Sequence, residues 1–172
     1  MALNAYLTLT GQKQGEIKGS VTQKGREGKI MVIAVNHEII SPRDAASGLP
    51  TGKRMHKPFV ITKELDKSTP LLFNALINNE NITNWELQFF TAQVRAATGA
   101  GTETNHYTVR LTNANIANIK SVMLNNKHPE FTKLAEYEEI AFTYQKIEWT
   151  WVNGSITASD DWESPIVLLP VK

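Results

Sequence analysis

The chain has 172 residues and no cysteine, and its 18 Lys and Arg residues almost balance its 17 Asp and Glu residues. This length suits one domain with its own core, so we treat residues 1–172 as a single domain. The lack of cysteine excludes disulfide scaffolds, zinc ribbons, iron–sulfur clusters and thiol catalysis. The sequence pI of about 7.9 argues against a nucleic-acid-binding domain, whose pI typically exceeds about 9.

The small net charge conceals a difference between the two parts of the chain. Residues 1–67 hold 11 Lys and Arg and 6 Asp and Glu, a net charge of +5, whereas residues 68–172 hold 7 and 11, a net charge of −4. Such asymmetry can arise from scattered surface residues. The alternative interpretation is that one surface of a subunit complements another surface of its neighbour, as head-to-tail assembly requires.

The amino terminus predicts a half-buried β-strand, because Leu3, Ala5, Leu7 and Leu9 alternate with polar residues. It has no basic segment followed by an apolar one, so it does not predict a Sec signal peptide. The longest apolar runs, such as Ile30–Val35, are far shorter than the roughly 18 residues that a transmembrane helix needs. We therefore expect a protein made and folded in the cytoplasm, with no membrane insertion.

Two strands and a long basic loop follow. Lys29–Ile40 is apolar on both faces as far as Val35, and Arg54–Thr62 contains Pro58, which indicates an edge strand or a bulge. The loop Ser41–Lys57 is too long for a tight hairpin, and loops beyond about 12–15 residues are usually functional or disordered. Its ionisable side chains are Arg43, Asp44, Lys53, Arg54, His56 and Lys57. Asp44 is the only acid among them, so the loop is predominantly basic and is a candidate docking arm.

One short helix is predicted next. Ser68 or Thr69 is the expected N-cap, Pro70 lies near the first helical position, and Leu72, Ala75 and Leu76 recur at helical spacing. The helix should end near Asn78. Because a helix of this length is marginal by itself, we expect it to pack as a lid against the sheet.

The strand pattern then resumes, with Trp85–Phe89 and Thr104–Leu111 joined by a glycine-rich tip at Ala96–Thr102. In the last strand, Glu138–Val152, the apolar positions change from even to odd numbers. That change predicts a bulge or a strand that passes from one sheet to the other. The sum is mainly β: an antiparallel β-barrel or a two-sheet sandwich of seven or eight strands with one short α-helix.

No motif predicts catalysis, a metal or a cofactor. Ser41–Arg54 is one residue short of a phosphate-binding loop and has Arg54 where a Ser or Thr would hold magnesium. The four histidines lack the short spacing of a metal site, although His37 and His56 flank the same loop and could meet. We interpret two groups of acids as solvated surface. These acids are Asp160, Asp161, Glu136, Glu138 and Glu139.

Seven blocks of the sequence carry a likeness to one known family. They are Ser41–Asp44 (SPRD), Ser47–Phe59 (SGLPTGKRMHKPF), Ile61–Leu72 (ITKELDKSTPLL), Trp85–Phe90 (WELQFF), Tyr107–Ala114 (YTVRLTNA), Tyr144–Trp149 (YQKIEW) and Ser159–Trp162 (SDDW). In order and spacing they resemble the Hcp family, the tube protein of bacterial type VI secretion systems. The resemblance covers essentially the whole chain; the tail Ile166–Lys172 is less characteristic.

This resemblance implies a phage-tail-tube-like fold whose subunits form hexameric rings that stack into a hollow tube. A contractile sheath drives such a tube, tipped by the VgrG spike protein, out of the cell in bacterial virulence or competition, and effector proteins can travel in the lumen. The implied location is cytoplasmic before firing, then secreted without a Sec signal. For this chain, the resemblance implies that the loop Ser41–Lys57 reaches the next ring and that Asn36 and His37 face the lumen.

The alternative function is a monomeric β-barrel whose calyx binds a small apolar molecule. The basic loop argues against this function, since the mouth of a calyx should be lined with apolar groups.

Overall fold

The computed structural model describes residues 3–93 and 102–164. Within them, thirteen strands and one helix follow one another along the chain. Their bounds are β1 Ala5–Gly11, β2 Gly15–Ile17, β3 Ile30–Val32, β4 Ala34–Asn36, β5 Ile39–Ile40, β6 Met55–His56, β7 Phe59–Glu64, α1 Thr69–Ile77, β8 Ile82–Gln93, β9 Thr102–Thr112, β10 Asn115–Val122, β11 Tyr137–Thr143, β12 Lys146–Trp151 and β13 Ile156–Asp161. Residues 96–101 of the predicted tip between β8 and β9 lie outside the described residues, as does the tail 166–172.

The strands form two main sheets. The seven-stranded sheet has the order β13-β12-β9-β8-β1, with β2 and β3 both paired to β1, and the four-stranded sheet has the order β10-β11-β7-β4. Strands β5 and β6 form a separate pair. All of these pairings are antiparallel, and among the described strands none closes a sheet on itself. Of the two predicted architectures, the sandwich is therefore the observed one, and the barrel is not.

Two of the predicted strands are each divided between different sheets. β11 belongs to the four-stranded sheet and β12 to the seven-stranded sheet, with Tyr144 and Gln145 between them. This confirms the crossing predicted from the apolar pattern of Glu138–Val152. The predicted strand Lys29–Ile40 is likewise divided into β3, β4 and β5, which lie in three different sheets. The observed strands are therefore more numerous than the seven or eight predicted, because predicted strands that change sheet are divided.

Aromatic rings fill the space between the two sheets. The rings of Phe59 and Phe142, from the four-stranded sheet, meet Trp85 of the seven-stranded sheet edge to face, with centroids 5.1 and 5.5 Å away. Such pairs contribute about 0.5–1.5 kcal/mol each beyond their buried area. The rings occupy the place where a ligand-binding barrel would hold its ligand, which argues against the calyx function.

Helix α1 packs on β10 and buries Leu72 and Ala75, as the predicted lid should. Ser68 is its N-cap residue, but the Ser68 hydroxyl donates to Asp66 Oδ1 instead of accepting from the helix. In the described part of the chain, no helix is long and apolar enough to cross a membrane.

A buried ion pair ties the start of α1 to the four-stranded sheet. Lys63 of β7 and Glu138 of β11 are opposite each other in the ladder. Their Nζ and Oε1 atoms lie 2.7 Å apart, and both side chains are fully buried. Thr69 Oγ1 donates to the same Glu138 oxygen at 2.9 Å and accepts from Lys63 Nζ at 3.1 Å. The interpretation of Glu138 as a solvated acid is therefore wrong: alternate residues of a strand point to opposite faces, and Glu138 points inward.

Candidate assembly site

Residues 38–57, which we call the arm, form a folded hairpin at the ends of β4 and β7. Ile39 is opposite His56, and Ile40 is opposite Met55. The backbone N–H of Lys57 donates to the carbonyl of Glu38 at 3.0 Å. The predicted strand Arg54–Thr62 is interrupted at Pro58, because proline has no N–H to donate. The predicted loop thus has a paired base and a separate tip.

Asp44 holds the tip of the arm. Its carboxylate accepts hydrogen bonds from the backbone N–H of Ser47 at 2.7 Å and from the Ser47 hydroxyl at 2.6 Å. These bonds hold the pKa of Asp44 below its ordinary value. Gly48 adopts φ +70°, a conformation that is strained for residues with a Cβ atom. The tip is therefore a defined turn, and Asp44 is engaged within it.

Arg54 and His56 bind the base of the arm to β13. The Arg54 guanidinium pairs with the Asp160 carboxylate through Nε and Nη2, and Nη2 also donates to the carbonyl of Asp161 at 3.0 Å. His56 Nε2 lies 2.7 Å from Asp160 Oδ2, with only 2% of the His56 side chain exposed. Hydrogen bonding to Arg54 holds the pKa of Asp160 below its ordinary value. Two-point pairing of this kind fixes orientation as well as distance.

Tyr144, at the crossing from β11 to β12, lies beside the contact between His56 and Asp160. Its hydroxyl oxygen is 2.9 Å from His56 Nδ1 and 2.6 Å from His37 Nε2. Its carbonyl accepts a hydrogen bond from Trp162 Nε1 at 2.8 Å. We call Arg54, His56, Tyr144, Asp160 and Trp162 the anchor.

The hydrogen bonds of the anchor have one consistent direction when both histidines are neutral. His56 donates from Nε2 to Asp160, so its Nδ1 accepts the proton of the Tyr144 hydroxyl. The Tyr144 oxygen then accepts a hydrogen bond from His37 Nε2. Burial lowers the pKa of His37 and raises the pKa of Tyr144. Both shifts favour the neutral groups that this pattern requires.

Two of the predicted cations remain available to a partner. Arg43 and Lys53 are exposed, and neither forms an ion pair with a described residue. Lys57 is paired with Glu38, with Nζ and Oε2 2.6 Å apart and both side chains about half exposed. The arm therefore has anchoring groups at its base and exposed cations farther along it.

Known proteins are similar to this chain in sequence and in fold. The family described as "Type VI secretion system effector, Hcp" matches residues 6–151. The chain belongs to the Hcp family. The "Major exported protein" of Pseudomonas aeruginosa is 42% identical, covering 96% of this chain and 99% of that protein.

Solved Hcp structures also resemble this chain. One described as "Crystal structure of Hcp protein" has a TM-score of 0.82 at 32% identity, covering 94% of this chain and 99% of that one. "Secreted protein Hcp3 from Pseudomonas aeruginosa" has a TM-score of 0.72 at 36% identity, with the same coverage of both chains.

The two residues predicted to face a lumen have different surroundings in this Hcp chain. Asn36 is exposed on β4, which is the last strand of its sheet. His37 is half-buried, with its ring against Phe59 at a centroid distance of 4.9 Å and its Nε2 bound to Tyr144. His37 therefore supports the anchor as well.

Sequence reasoning missed three members of the anchor: Tyr144, Asp160 and Trp162. It interpreted Asp160 as a solvated acid, but Asp160 is paired with Arg54 and His56. The one available signal was that all three belong to blocks that resemble the Hcp family. Nothing in that signal identified their contact with the arm.

In residues 3–93 and 102–164, the histidine and carboxylate side chains form no group of three that could hold a metal ion. His37 and His56 do approach one another, with the Tyr144 hydroxyl between them. The arrangement is suited to a mechanical task, which is holding the arm in one orientation on the sandwich.

Proposed function

We propose that this Hcp chain is a tube subunit of a type VI secretion system, in which hexameric rings stack head to tail into a hollow tube. The arm is the observation that carries the proposal. It is folded and anchored before any partner binds, and it presents the exposed cations Arg43 and Lys53. A binding segment that is ordered in advance loses less conformational entropy on association. Head-to-tail stacking needs one such projecting surface and a different receiving surface.

The open sheet edges support lateral association into a ring. Among the described strands, β13 and β4 are each the last strand of their sheet. Exposed edges bind other chains unless they are covered. Apolar side chains lie on or beside them: Val35, Trp151 and Ile156 are 37%, 46% and 69% exposed. Neighbouring copies in a ring would cover these groups.

The remaining partners follow from the proposed tube. They are the VgrG spike protein, the contractile sheath and effector proteins in the lumen, with Asn36 and His37 on the lumen wall. The subunit is cytoplasmic before firing and is then secreted, a route supported by the name "Major exported protein" of the relative from Pseudomonas aeruginosa. The role is structural, so it involves no catalytic step and no cofactor.

Native mass spectrometry and negative-stain electron microscopy of the purified chain test the proposal. We expect a hexamer at low micromolar concentration and stacked rings at higher concentration. A monomer at every concentration would contradict the ring and favour a different function.

The double variant R43E/K53E tests the role of the arm. Each exposed ion pair contributes only about 0–1 kcal/mol, but sixfold repetition around a ring multiplies the effect. We expect R43E/K53E to form rings that no longer stack. The control K127E/K133E makes the same charge change at exposed lysines outside the arm and should stack normally. Normal stacking of R43E/K53E would show that these cations do not mediate ring contacts.

A further inference from the structure

A surface cleft of about 380 Å³ lies away from the arm and has no role in the anchor. Its lining includes Tyr6, Val21, Met31, Glu64, Leu65 and Asp66. We propose that this cleft receives the arm of the next ring. The inference rests on the proposed function and adds to it the receiving surface for the arm.

The topology places the arm and the cleft at opposite ends of the same pair of strands. β4 and β7 run antiparallel, with Asn36 opposite Val60 at one end and Ala34 opposite Thr62 towards the other. The arm leaves from the Asn36 end, since it follows β4 and precedes β7. Glu64 and Leu65 lie where β7 finishes. A strand of six residues is roughly 20 Å long at about 3.3 Å per residue.

This separation has a direct consequence for assembly. An arm at one end cannot occupy the cleft at the other end of its own subunit. A second copy stacked in the same orientation brings its arm towards that cleft, which is the relation that a repeating head-to-tail contact requires.

The cleft and the arm are chemically complementary. The lining contains two carboxylates, Glu64 and Asp66, and no Lys, Arg or His. Asp66 is already paired with Lys63 at 3.0 Å. Glu64 is exposed and forms no ion pair with a described residue, so it is the group available to Arg43 or Lys53 of an incoming arm.

Apolar groups match in the same way. Leu49, beside the tip turn of the arm, is 64% exposed, and Leu65 of the cleft is 46% exposed next to Met31 and Val21. Docking would remove Leu49 and Leu65 from water together, and burial of apolar surface favours association. The cation near Glu64 would set the register of this contact.

Because the chain has no native cysteine, a cysteine pair tests the contact without background. The variant L49C/L65C is treated with a short bis-maleimide crosslinker under conditions in which wild-type rings stack. We expect a ladder of covalent multimers on a denaturing gel, since each copy contributes one arm and one cleft. The single variants L49C and L65C should give no ladder.

A neighbouring groove provides the matched control. It is lined by Ile33, Leu134 and Tyr137 and shares Glu64 with the cleft. When the arm is docked in the cleft, the two cysteines of L49C/L65C are held near each other at high effective concentration. L49C/L134C lacks this proximity and should therefore crosslink at least about tenfold more slowly than L49C/L65C. A ladder that is equal or faster with L134C, or no ladder from L49C/L65C while micrographs show stacks, would overturn the cleft assignment but leave the proposed function intact. Wild-type chains that form no rings would instead reject both.

Charge exchange gives a second readout. We expect E64K to abolish stacking while rings persist, and K53E or R43E in the same chain as E64K to restore it. The control E130K, at an exposed acid outside the cleft, should stack normally. Stacking by E64K alone at the wild-type level would also overturn the assignment.

Discussion

His56 Nε2 lies 2.7 Å from Asp160 Oδ2, although the two residues are 104 positions apart in the sequence. His56 belongs to the arm, which extends from the four-stranded sheet, and Asp160 belongs to β13, the last strand of the seven-stranded sheet. One short contact therefore joins both layers of the sandwich through the arm. The arm is held by tertiary structure, and its orientation depends on a few side chains that can be changed one at a time.

Asp160→Asn removes the charge that Arg54 and His56 share. We expect a loss of about 1–3 kcal/mol in the free energy of unfolding, the usual cost of leaving buried hydrogen-bonding groups poorly paired. Amide hydrogen exchange in β5 and β6 should become faster, since the base of the arm loses its main attachment. The control Asp161→Asn keeps the backbone carbonyl that Arg54 uses and should have a smaller effect. Unchanged exchange in D160N would show that the anchor does not hold the arm.

Tyr144→Phe removes the hydroxyl that His37 and His56 both bind. Because two ring nitrogens lose their partner in a part-buried site, we expect a loss of about 1–3 kcal/mol in urea unfolding. Tyr107 is also part-buried, and its hydroxyl has no hydrogen-bond partner among the described residues. Tyr107→Phe should therefore change the stability by less than about 0.5 kcal/mol. Equal effects of Y144F and Y107F would contradict the central role of Tyr144.

His37 should make stability depend on pH. Burial lowers its pKa in the folded chain below the unfolded value of about 6.5. Between these two pKa values the unfolded chain binds more protons, so the free energy of unfolding falls as the pH drops below about 6.5. Asp160, whose pKa is also lowered, acts in the same direction, but only below about pH 3.9.

The variant His37→Gln isolates the histidine contribution. The loss of stability between about pH 7.5 and pH 5.5, measured by urea unfolding, should be smaller in H37Q than in the wild type. His128 is an exposed histidine outside the anchor, and H128Q should retain the wild-type pH dependence. The same pH dependence in H37Q and the wild type would rule out His37 as its source.

Lys63→Met breaks the buried ion pair and leaves the Glu138 carboxylate without its cation. We expect a loss of roughly 3–5 kcal/mol in the free energy of unfolding. The double variant K63M/E138Q should be less destabilised than K63M alone, because it also removes the fully buried charge of Glu138. Lys120→Met, at an exposed lysine of β10, should stay within about 0.5 kcal/mol of the wild type. A double variant no more stable than K63M would contradict this account of the pair.

Local patterns were sufficient to predict several elements. The helix expected from Ser68 to about Asn78 is observed at Thr69–Ile77, because a proline in the first turn and apolar spacing act within a few turns of chain. The sheet crossing near Tyr144 was predictable too, since the apolar positions along one strand must change when the strand changes the layer against which it packs. The long basic loop Ser41–Lys57 was predictable as well, from the spacing between the flanking strand patterns and from its many cationic residues.

Charged partners were not predictable in the same way. Glu138 and Glu139 are neighbours in the sequence, yet Glu138 is fully buried against Lys63 and Glu139 is part-exposed. A periodic pattern reports that one of them points inward, but an inward carboxylate is so costly without a cation that the default interpretation is solvent exposure. Only the register of β7 against β11 places Lys63 opposite Glu138.

The sequence by itself determined the class of fold, the helix, the crossing strand and the family, because those depend on periodicity, capping and motif order along the chain. The tertiary structure decided that Arg54 and His56 face inward to Asp160 while Arg43 and Lys53 remain exposed. It also decided that a cleft with a free carboxylate lies at the end of β7 opposite the arm. The physical reason is that an ion pair needs two groups within about 4 Å, and residues more than 100 positions apart reach that distance only when the two sheets stack.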